Sequence, residues 1–375
     1  MERRAFLGAL VAGAAVGACE GPKPRPRARS TSVDGDGPRT VWRLASSFPR
    51  SLDTIYGAAE VLAERVAAMT DGRFEIRVYP AGEVVPPFQV LDAVQQGTVP
   101  IGQTAGYYYL GKHPALAFDT CVPFGFTARQ QAAWLDEGGG RALIDEVLAG
   151  FGALSLPSGN TGAQMGGWFR REIRSLADLG GLNMRIPGLG GRVMSALGAQ
   201  VQSIPGADIF PALERGVIDA TEWVGPYDDE KLGFASIAPV YHTPGWWEPG
   251  PSLSFYVSRA AFDGLPVAWQ HILRAAAREA AHAMLTRYDA RNPDALARLV
   301  AAGTRVVPFP ADLLDAAAAA SRQLLSDEAA KDPVTARVVD HWTDFKSRSD
   351  PWFATAELPY THAVWSALAP RAAQP

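Results

Sequence analysis

The sequence predicts an α/β fold arranged in about two lobes, and three observations support this prediction. Strand and helix patterns alternate along most of the chain. A chain of 375 residues with 47% hydrophobic content is long enough for about two domains, each with a sizeable core. A short pattern also recurs once, which indicates two similar halves.

The first folded elements are a strand, a helix and a second strand. Val41–Ala45 has the apolar and aromatic composition of a strand, and Phe74–Val78 alternates apolar and polar residues as a second strand. Between them, apolar residues recur at helical spacing until Asp71-Gly72 interrupts the pattern: Ile55, Ala59, Leu62, Val66 and Met69. This order predicts a sheet with crossover helices.

The recurring pattern consists of a helix end, a glycine and a short strand. It occurs at residues 93–99 and 212–218, where Gly97 and Gly216 stand at the positions of glycine C-caps. Patterns of this kind are common in α/β proteins, so chance similarity stays open as an alternative. The repeat supports the fold prediction because two similar halves agree with the two domains that the chain length predicts.

The C-terminal part of the chain is predicted to be helical. Residues 266–302 form a long helix that Asn292-Pro293 caps or kinks, and further helices cover 311–328 and 333–345. One face of the long helix is apolar: Trp269, Leu273, Ala276, Ala280, Met284 and Tyr288. This helical content exceeds what two lobes need, so we expect it to provide a homodimer interface.

Residues 1–19 have the features of an export signal. Arg3-Arg4 precedes the apolar run Ala5–Ala18, which indicates the twin-arginine route, with an ordinary secretory signal as the alternative. Val16–Cys19 also resembles a lipoprotein cleavage box, so lipidation of Cys19 is open. Residues 20–40 are rich in Pro, Arg and Ser and are predicted to be a disordered tether. We therefore expect a periplasmic protein in which Cys121 has no disulfide partner.

Composition and motifs exclude several classes of function. A formal net charge of −4 gives no basic surface for nucleic acid, and no apolar stretch reaches the roughly 18 residues of a spanning helix. The histidines lack metal-protease spacing, and neither a G-x-S-x-G elbow nor a C-x-x-C pair occurs. The sequence therefore gives no catalytic residues, and we expect a protein that is not an enzyme.

Isolated polar residues in Gly-, Pro- and aromatic-rich segments indicate a small-molecule site. Arg185 ends a short strand pattern before Pro187, where its planar guanidinium could bind a carboxylate; the alternative is a structural arginine paired with an acidic residue on a nearby loop. Glu222 and Glu248 lie among aromatic residues, where a carboxylate is costly unless it is paired, hydrogen-bonded or metal-bound. Two such carboxylates favour a cation, although a protonated glutamate would also relieve the charge.

Several longer segments resemble the solute-binding proteins of tripartite ATP-independent periplasmic (TRAP) transporters. The resemblance covers about residues 41–365, and it is carried by segments 75–83, 122–125, 175–187 and 212–219. Within that family, residues 166–169, 184–191, 222–229 and 244–251 resemble the branch that binds 2-oxoacids such as pyruvate with a metal ion. The resemblance implies a two-lobed periplasmic-binding-protein fold with a hinge cleft and extra C-terminal helices.

The resemblance also implies a division into lobes. Lobe 1 would comprise residues 41–162 together with about 250–302, and lobe 2 residues 163–249. Residues 303–375 would form C-terminal helices that pack on the lobes and offer a dimer interface.

Roles for individual residues follow from the same resemblance. Arg185 would bind the ligand carboxylate, and the amide of Gln164 would serve both ligand and cation. The cation, sodium or calcium, would be held by Gln164, Glu222, the main-chain carbonyl of Trp223 and Glu248. The ligand would also meet Glu222, Trp223, Trp247 and, from the other lobe, Tyr107 or Tyr108.

The implied function is that of an extracytoplasmic binding subunit that delivers a small monocarboxylate to the membrane subunits of a TRAP transporter. A 2-hydroxyacid such as lactate is the alternative ligand. A sensory lipoprotein would bind the same ligand without a permease, and an exported enzyme would need a nucleophile and base that the sequence does not offer.

Overall fold

The structure, a computed structural model, describes residues 39–368. The predicted export signal, Cys19 and nearly all of the predicted tether lie outside the described residues. The strands follow one another as β1 Thr40–Ser46, β2 Phe74–Tyr79, β3 Ile101–Thr104, β4 Ala153–Asn160, β5 Trp168–Phe169, β6 Asn183–Arg185, β7 Gln200–Gln202, β8 Ala220–Thr221, β9 Val240–Thr243, β10 Ser252–Ser258 and β11 Arg305–Pro308.

These strands form two sheets. The first is five-stranded, with the order β2-β1-β3-β10-β4; β1 is parallel to β2 and β3, and β10 is antiparallel to β3 and β4. The second is six-stranded, with the order β11-β9-β5-β8-β6-β7, and only its short β5 is antiparallel to its neighbours. The predicted helices of residues 303–375 therefore include a strand, β11, which extends the second sheet beside β9.

The α-helices are α1 Gly57–Met69, α2 Val90–Gln95, α3 Ala128–Asp136, α4 Gly140–Ala149, α5 Gly188–Ala196, α6 Gly206–Glu214, α7 Pro226–Leu232, α8 Arg259–Asp263, α9 Val267–Ala301, α10 Ala311–Lys331 and α11 Pro333–Leu368. The predicted face of α1 packs into the core, except that Met69 is exposed. Met69 is the last helical residue, and the chain leaves the core there through Asp71 and Gly72, both with positive φ.

The repeated pattern has the same geometry at both places. Gly97 and Gly216 both have φ 72°, and the residue after each glycine donates its N–H to a helix carbonyl five residues earlier, on Ala93 or Ala212. Both helices thus end in the glycine cap that the sequence predicts. The predicted strands directly after the two glycines, at Thr98-Val99 and Val217-Ile218, are wrong, because β3 starts only at Ile101 and β8 only at Ala220.

The long helix α9 runs without interruption through Pro293, so no new helix begins there. The apolar face between Trp269 and Tyr288 is fully buried, because the helix packs against β4 and α1. The expectation that this face supplies a dimer interface is therefore wrong. It forms part of the core of the protein itself.

The last two helices, α10 and α11, pack against different parts of the fold. Helix α10 packs against α5, whereas α11 packs against α3, α4 and the 3-10 helix Pro114–Asp119. Helix α11 continues well beyond its predicted end at Phe345, and its final part carries large exposed apolar side chains: Trp352 (60% exposed), Leu358 (65%), Tyr360 (70%) and Trp365 (71%). Among residues 39–368 no helix combines the length and hydrophobicity that crossing a membrane would require.

Two connecting segments link the sheets and position the site. Residues 161–167 lead from β4 in the first sheet to β5 in the second, and residues 244–251 lead back from β9 to β10. We call these the crossing segments. They lie against each other, since the Gln164 N–H donates to the Glu248 carbonyl (3.3 Å) and the Gly245 N–H donates to the Gln164 carbonyl (3.1 Å). A Cβ on Gly245 would lie 2.5 Å from that Gln164 oxygen, so only glycine fits there.

Candidate functional site

Arg185 is the last residue of β6, and its side chain is buried to 1% exposure. Its Nε donates to the Ile204 carbonyl (3.0 Å), and its Nη1 donates to the Glu222 carbonyl (2.9 Å) and to the Glu222 carboxylate. The Trp223 ring lies 5.2 Å from the guanidinium carbon. These contacts fix the guanidinium plane, and no hydrogen bond from the described residues occupies Nη2. One edge of the fork thus stays available to a ligand.

Arg185 therefore does pair with an acidic residue, as the structural alternative required. The pair alone does not show that Arg185 is a purely structural arginine, because Arg185 also lines a cavity. The pairing uses Nε and Nη1 and leaves the donors of Nη2 free for a ligand.

The cavity lies between the parts of the chain that build the two sheets. Residues associated with the second sheet form one wall: Arg185, Trp223 and Val224. The remaining lining residues are Phe48, Ile55, Tyr107, Tyr108, Thr161, Gln164, Pro251 and Leu253. The space free of protein atoms is about 290 Å³, including solvent at the mouth of the cavity. The site therefore suits a small ligand.

Both candidate tyrosines line this cavity. They belong to the 3-10 helix Gly106–Tyr109, which follows β3, and their rings meet edge to face at 4.9 Å. Burial raises the pKa of Tyr107 well above its ordinary value, and the Glu248 carboxyl adds to the rise. Gly188, with φ 69°, abuts Tyr107, because a Cβ there would lie 3.2 Å from the ring. The start of α5 thus approaches this tyrosine closely.

Three buried side-chain oxygens near the cavity have no hydrogen-bond partner among the described residues: Gln164 Oε1, Glu222 Oε2 and Glu248 Oε2. Their side chains are 6%, 1% and 3% exposed. No hydrogen bond from the described residues reaches the main-chain carbonyl of Trp223 either. Leaving one buried polar group unsatisfied typically costs about 1–3 kcal/mol, so a set of such oxygens calls for an explanation.

The pKa values of Glu222 and Glu248 also indicate that these buried oxygens lack a stabilising partner. Burial raises the pKa of Glu248 well above its ordinary value, and the nearby Glu222 carboxyl raises it further, whereas Arg185, Gln164 and Tyr107 oppose the rise. Burial likewise raises the pKa of Glu222, although Arg185 opposes this. Two buried carboxyls thus share one guanidinium. A cation among these oxygens would stabilise both carboxylates.

The chemistry of these groups fits a hard cation. Carboxylate, amide and carbonyl oxygens are ligands for calcium and sodium, whereas softer metals prefer thiolate or imidazole. No cluster of three His, Cys, Asp or Glu residues suitable for a metal occurs in residues 39–368. The candidate set does not need one, because it combines only two carboxylates with an amide and a carbonyl.

The structure brings most of the predicted site residues together. Trp247 does not line the cavity, and its ring packs beside Gly190 and 5.5 Å from the Phe309 ring in the core under the second sheet. Glu222 and Glu248 do not line the cavity either, although Arg185 and Gln164, which do, contact them directly. The assignment of these residues to ligand or cation stays a prediction.

Sequence reasoning did not single out the apolar lining residues. Phe48 follows β1, and Thr161 follows β4 directly; its hydroxyl accepts from the Gln164 amide (3.1 Å). Ligand sites in α/β proteins lie at the carboxyl ends of strands, so the residues after these strands could have been marked. Ile55 and Leu253 carried no comparable signal, since each reads as an ordinary core residue.

Comparison with known proteins agrees with this architecture. Residues 45–332 match the DctP family, described as bacterial extracellular solute-binding protein, family 7. The monocarboxylate 2-oxoacid-binding periplasmic protein of Nostoc sp. (strain PCC 7120) is 52% identical over 323 residues, which cover 86% of this chain and 88% of that protein.

Two crystal structures of TRAP transporter solute-binding proteins show the same fold. The protein from Bordetella bronchiseptica RB50 is 47% identical with a TM-score of 0.87, covering 89% of this chain and 99% of that one. It is a mixed-occupancy dimer with copurified calcium and picolinate in one site. The protein from Pseudoalteromonas atlantica T6c holds sodium and pyruvate; it is 39% identical with a TM-score of 0.84, covering 86% and 99%.

These matches confirm the predicted fold class, a mixed α/β protein with two sheets and additional C-terminal helices. They extend over most of the chain and over nearly the whole of both crystallised proteins. The chain therefore belongs to bacterial extracellular solute-binding protein family 7, the DctP family of TRAP transporter solute-binding proteins.

Proposed function

We propose that this protein binds a short 2-oxo monocarboxylate such as pyruvate together with calcium or sodium, and delivers it to the membrane subunits of a TRAP transporter. One observation carries the proposal. Arg185, which has a free guanidinium edge, and Gln164, which has an unpartnered Oε1, line one small cavity, and Glu222 and Glu248, which contact these two residues, each carry an unpartnered carboxylate oxygen. The names of the relatives support it, since one is a 2-oxoacid-binding protein and another holds pyruvate with sodium.

In this proposal Arg185 binds the ligand carboxylate through Nη2, held in place by its bonds to Ile204 and Glu222. The cation is coordinated by Gln164, Glu222, the Trp223 carbonyl and Glu248, and it also takes ligand oxygens. A 2-oxo group beside a carboxylate offers two adjacent oxygens to such an ion. Tyr107 and Tyr108 close the site from the side of the first sheet, and Trp247 supports it from the core.

The lining favours a ligand with one carboxylate and a short apolar chain. Among residues 39–368, Arg185 is the sole cationic side chain that lines the cavity, so a second carboxylate would have no partner there. Phe48, Ile55 and Leu253 offer only apolar contacts, which suit a methyl or ethyl group. A 2-hydroxyacid such as lactate is the closest competitor, because it differs only at the second oxygen donor.

The site does not favour an enzyme. Cys121 is a buried free thiol near the two glutamates, and burial raises its pKa well above the ordinary value, so it stays a neutral thiol. The Thr161 hydroxyl accepts a hydrogen bond from the Gln164 amide and donates one to the Gly162 carbonyl (3.3 Å), and no base within residues 39–368 takes its proton. We therefore propose a receptor without chemistry of its own.

Assembly and location complete the proposal. The family name places these proteins outside the cytoplasm, and the chain would reach the periplasm through the twin-arginine signal, with Cys19 as a candidate lipid anchor. The exposed apolar end of α11 would form a homodimer interface, in place of the buried face of α9.

Titration calorimetry tests the cation requirement. Pyruvate is titrated near neutral pH into signal-free protein stripped of calcium and sodium in choline buffer, and then with either ion restored. Two buried carboxylates near a ligand carboxylate repel by several kcal/mol at short distance, so we expect affinity to fall at least about 30-fold without the ion.

Glu248→Gln is expected to lose most of this cation dependence together with its affinity. Glu230→Gln, a change at a surface carboxylate on α7, serves as the control. Binding that is undiminished without either ion, but weakens as the pH rises, would favour a protonated glutamate over a cation. Lactate in place of pyruvate tests the ligand class.

A further inference from the structure

Tyr227 belongs to the segment 222–229 that resembles the family, yet it does not line the cavity. Its ring lies between two cations, with Lys231 Nζ 4.0 Å and the Arg291 guanidinium carbon 4.9 Å from the ring centroid. Its backbone N–H donates to the side chain of Asn292 on α9 (3.0 Å). These contacts fix Tyr227 on the surface of the protein, beside the cavity wall that Trp223 and Val224 form.

Tyr227, Lys231 and Arg291 all contact the carboxylate of Asp53. The Tyr227 hydroxyl donates to it (3.2 Å), Arg291 Nη1 donates to it (3.0 Å), and Lys231 forms a close ion pair with it. Partial burial works against ionisation, but the hydrogen bond and charge of Lys231, with Arg291 and Tyr227, lower the pKa of Asp53. We call these four residues the Asp53 cluster.

The cluster joins two parts of the chain that belong to different sheets. Asp53 lies in the turn between β1 and α1, and Ile55, two residues later, lines the cavity. Tyr227 and Lys231 lie on α7, which follows β8 of the second sheet and comes directly after the lining residues Trp223 and Val224. The cluster therefore ties together, from outside the cavity, two parts of the chain that contribute to its lining.

Helix α7 has a second ion pair that does not reach the first-sheet turn. Arg298 of α9 donates to Glu230 through Nε (2.9 Å) and Nη2 (2.6 Å). Like the Asp53 cluster, this pair is surface-exposed and holds α7 against α9. Loss of this pair therefore tests whether removing any surface ion pair on α7 has the same effect as removing the charge of Asp53.

We propose that Asp53 is a positioning residue for ligand binding, whose contacts with Tyr227, Lys231 and Arg291 hold the two cavity walls together and slow ligand release. The inference rests on the proposed function. Because the cluster lies outside the cavity, its contribution falls on the lifetime of the bound complex and not on recognition of the ligand. An exposed cluster is also screened by salt, so release should quicken as ionic strength rises.

Stopped-flow fluorescence with calcium and pyruvate tests this; the reporter is the intrinsic tryptophan emission, to which the lining residue Trp223 contributes. Asp53→Asn keeps the shape of the side chain and removes its charge, and we expect the dissociation rate to rise about 2- to 5-fold with a nearly unchanged association rate. Choline chloride should accelerate release from the unaltered protein much more than from the variant. Asp53→Glu should restore part of the slow release, and Glu230→Gln should leave it unchanged.

A second readout does not require the ligand. Spin labels on cysteines at the exposed positions Gln96 and Ser203, associated with the first and second sheet, report the distance between the walls. Asp53→Asn should broaden this distance distribution in protein without ligand. An unchanged distribution together with an unchanged dissociation rate, or an equal effect of Glu230→Gln, would overturn the proposal. Should the unaltered protein bind no 2-oxoacid, the proposed function fails, and the spin labels still decide the role of Asp53.

Discussion

Replacing Arg185 with alanine should separate the two roles that the structure gives this residue. The guanidinium offers a free edge to the ligand and at the same time neutralises the buried Glu222. We therefore expect Arg185→Ala to lose ligand affinity and also some stability. A variant that removes both charges, Arg185→Ala with Glu222→Gln, should recover stability but not binding.

The magnitudes follow from these contacts. Loss of the partner of a buried carboxylate typically weakens binding by about 2–5 kcal/mol, which is roughly 30-fold to several-thousand-fold in Kd. Leaving Glu222 buried without its cationic partner would cost about 3–5 kcal/mol of stability if it stayed ionised. Because burial already raises its pKa, Glu222 can take up a proton instead, so the measured loss should fall below that range.

Calorimetry with pyruvate and calcium gives the affinity, and urea unfolding gives the stability. Arg185→Lys should also bind poorly, since an ammonium cannot keep the bonds to Ile204 and Glu222 while facing the ligand. Arg192→Ala is the matched control, because Arg192 is a half-exposed arginine on α5 paired with Glu328. Affinity within a few-fold of the unaltered protein in Arg185→Ala would refute the assignment of this residue.

Three further predictions concern packing, pH and assembly. Gly188→Ala should weaken pyruvate binding at least about 5-fold, because the added methyl group presses on Tyr107, whereas Gly181→Ala, which has positive φ but open space, should cost only stability. Burial lowers the pKa of His242 to about 4 from its ordinary 6.5, so the unfolded chain takes up a proton first as the pH falls. The contribution of His242 to the free energy of unfolding is complete above pH 6.5 and should fall by about 2 kcal/mol by pH 5. Urea unfolding above pH 6.5 and at pH 5 measures this loss, and His242→Gln should remove it. Removal of residues 350–375 should convert a dimer into a monomer in sedimentation, while pyruvate binding persists; a dimer that survives the truncation would rule out the end of α11 as the interface.

Much of the fold could be predicted because local patterns and tertiary structure agree. The apolar face of α9 and the glycine caps at Gly97 and Gly216 carry their signals in neighbouring residues. The end of α11 was not predictable, because Pro351 and the polar residues before it resemble a helix stop. The use of the α9 face could not be predicted either, since an amphipathic helix does not reveal which surface covers it.

The residues of the candidate site were also predictable from local patterns, whereas their arrangement in space was not. Gln164, Arg185, Glu222 and Glu248 were found because isolated charged or amide groups in Gly-, Pro- and aromatic-rich segments are unusual, and the family resemblance gave them their roles. Their mutual arrangement could not be predicted, because they come from β6, the residues after β8 and the two crossing segments, which only the folded chain brings together. The bond between Arg185 and Glu222 is likewise a tertiary contact that no spacing rule anticipates.

The crossing segments place the proposed cation ligands on the connections between the sheets, with Gln164 on one and Glu248 on the other. An ion bound there would cross-link the two connections as well as contact the ligand. Thermodynamic linkage then requires reciprocity: by whatever factor calcium raises the affinity for pyruvate, pyruvate raises the affinity for calcium. In a compartment where the ion is abundant and the oxoacid scarce, the protein would be loaded with the ion in advance. The supply of the ion would thus set the oxoacid concentration at which the receptor responds.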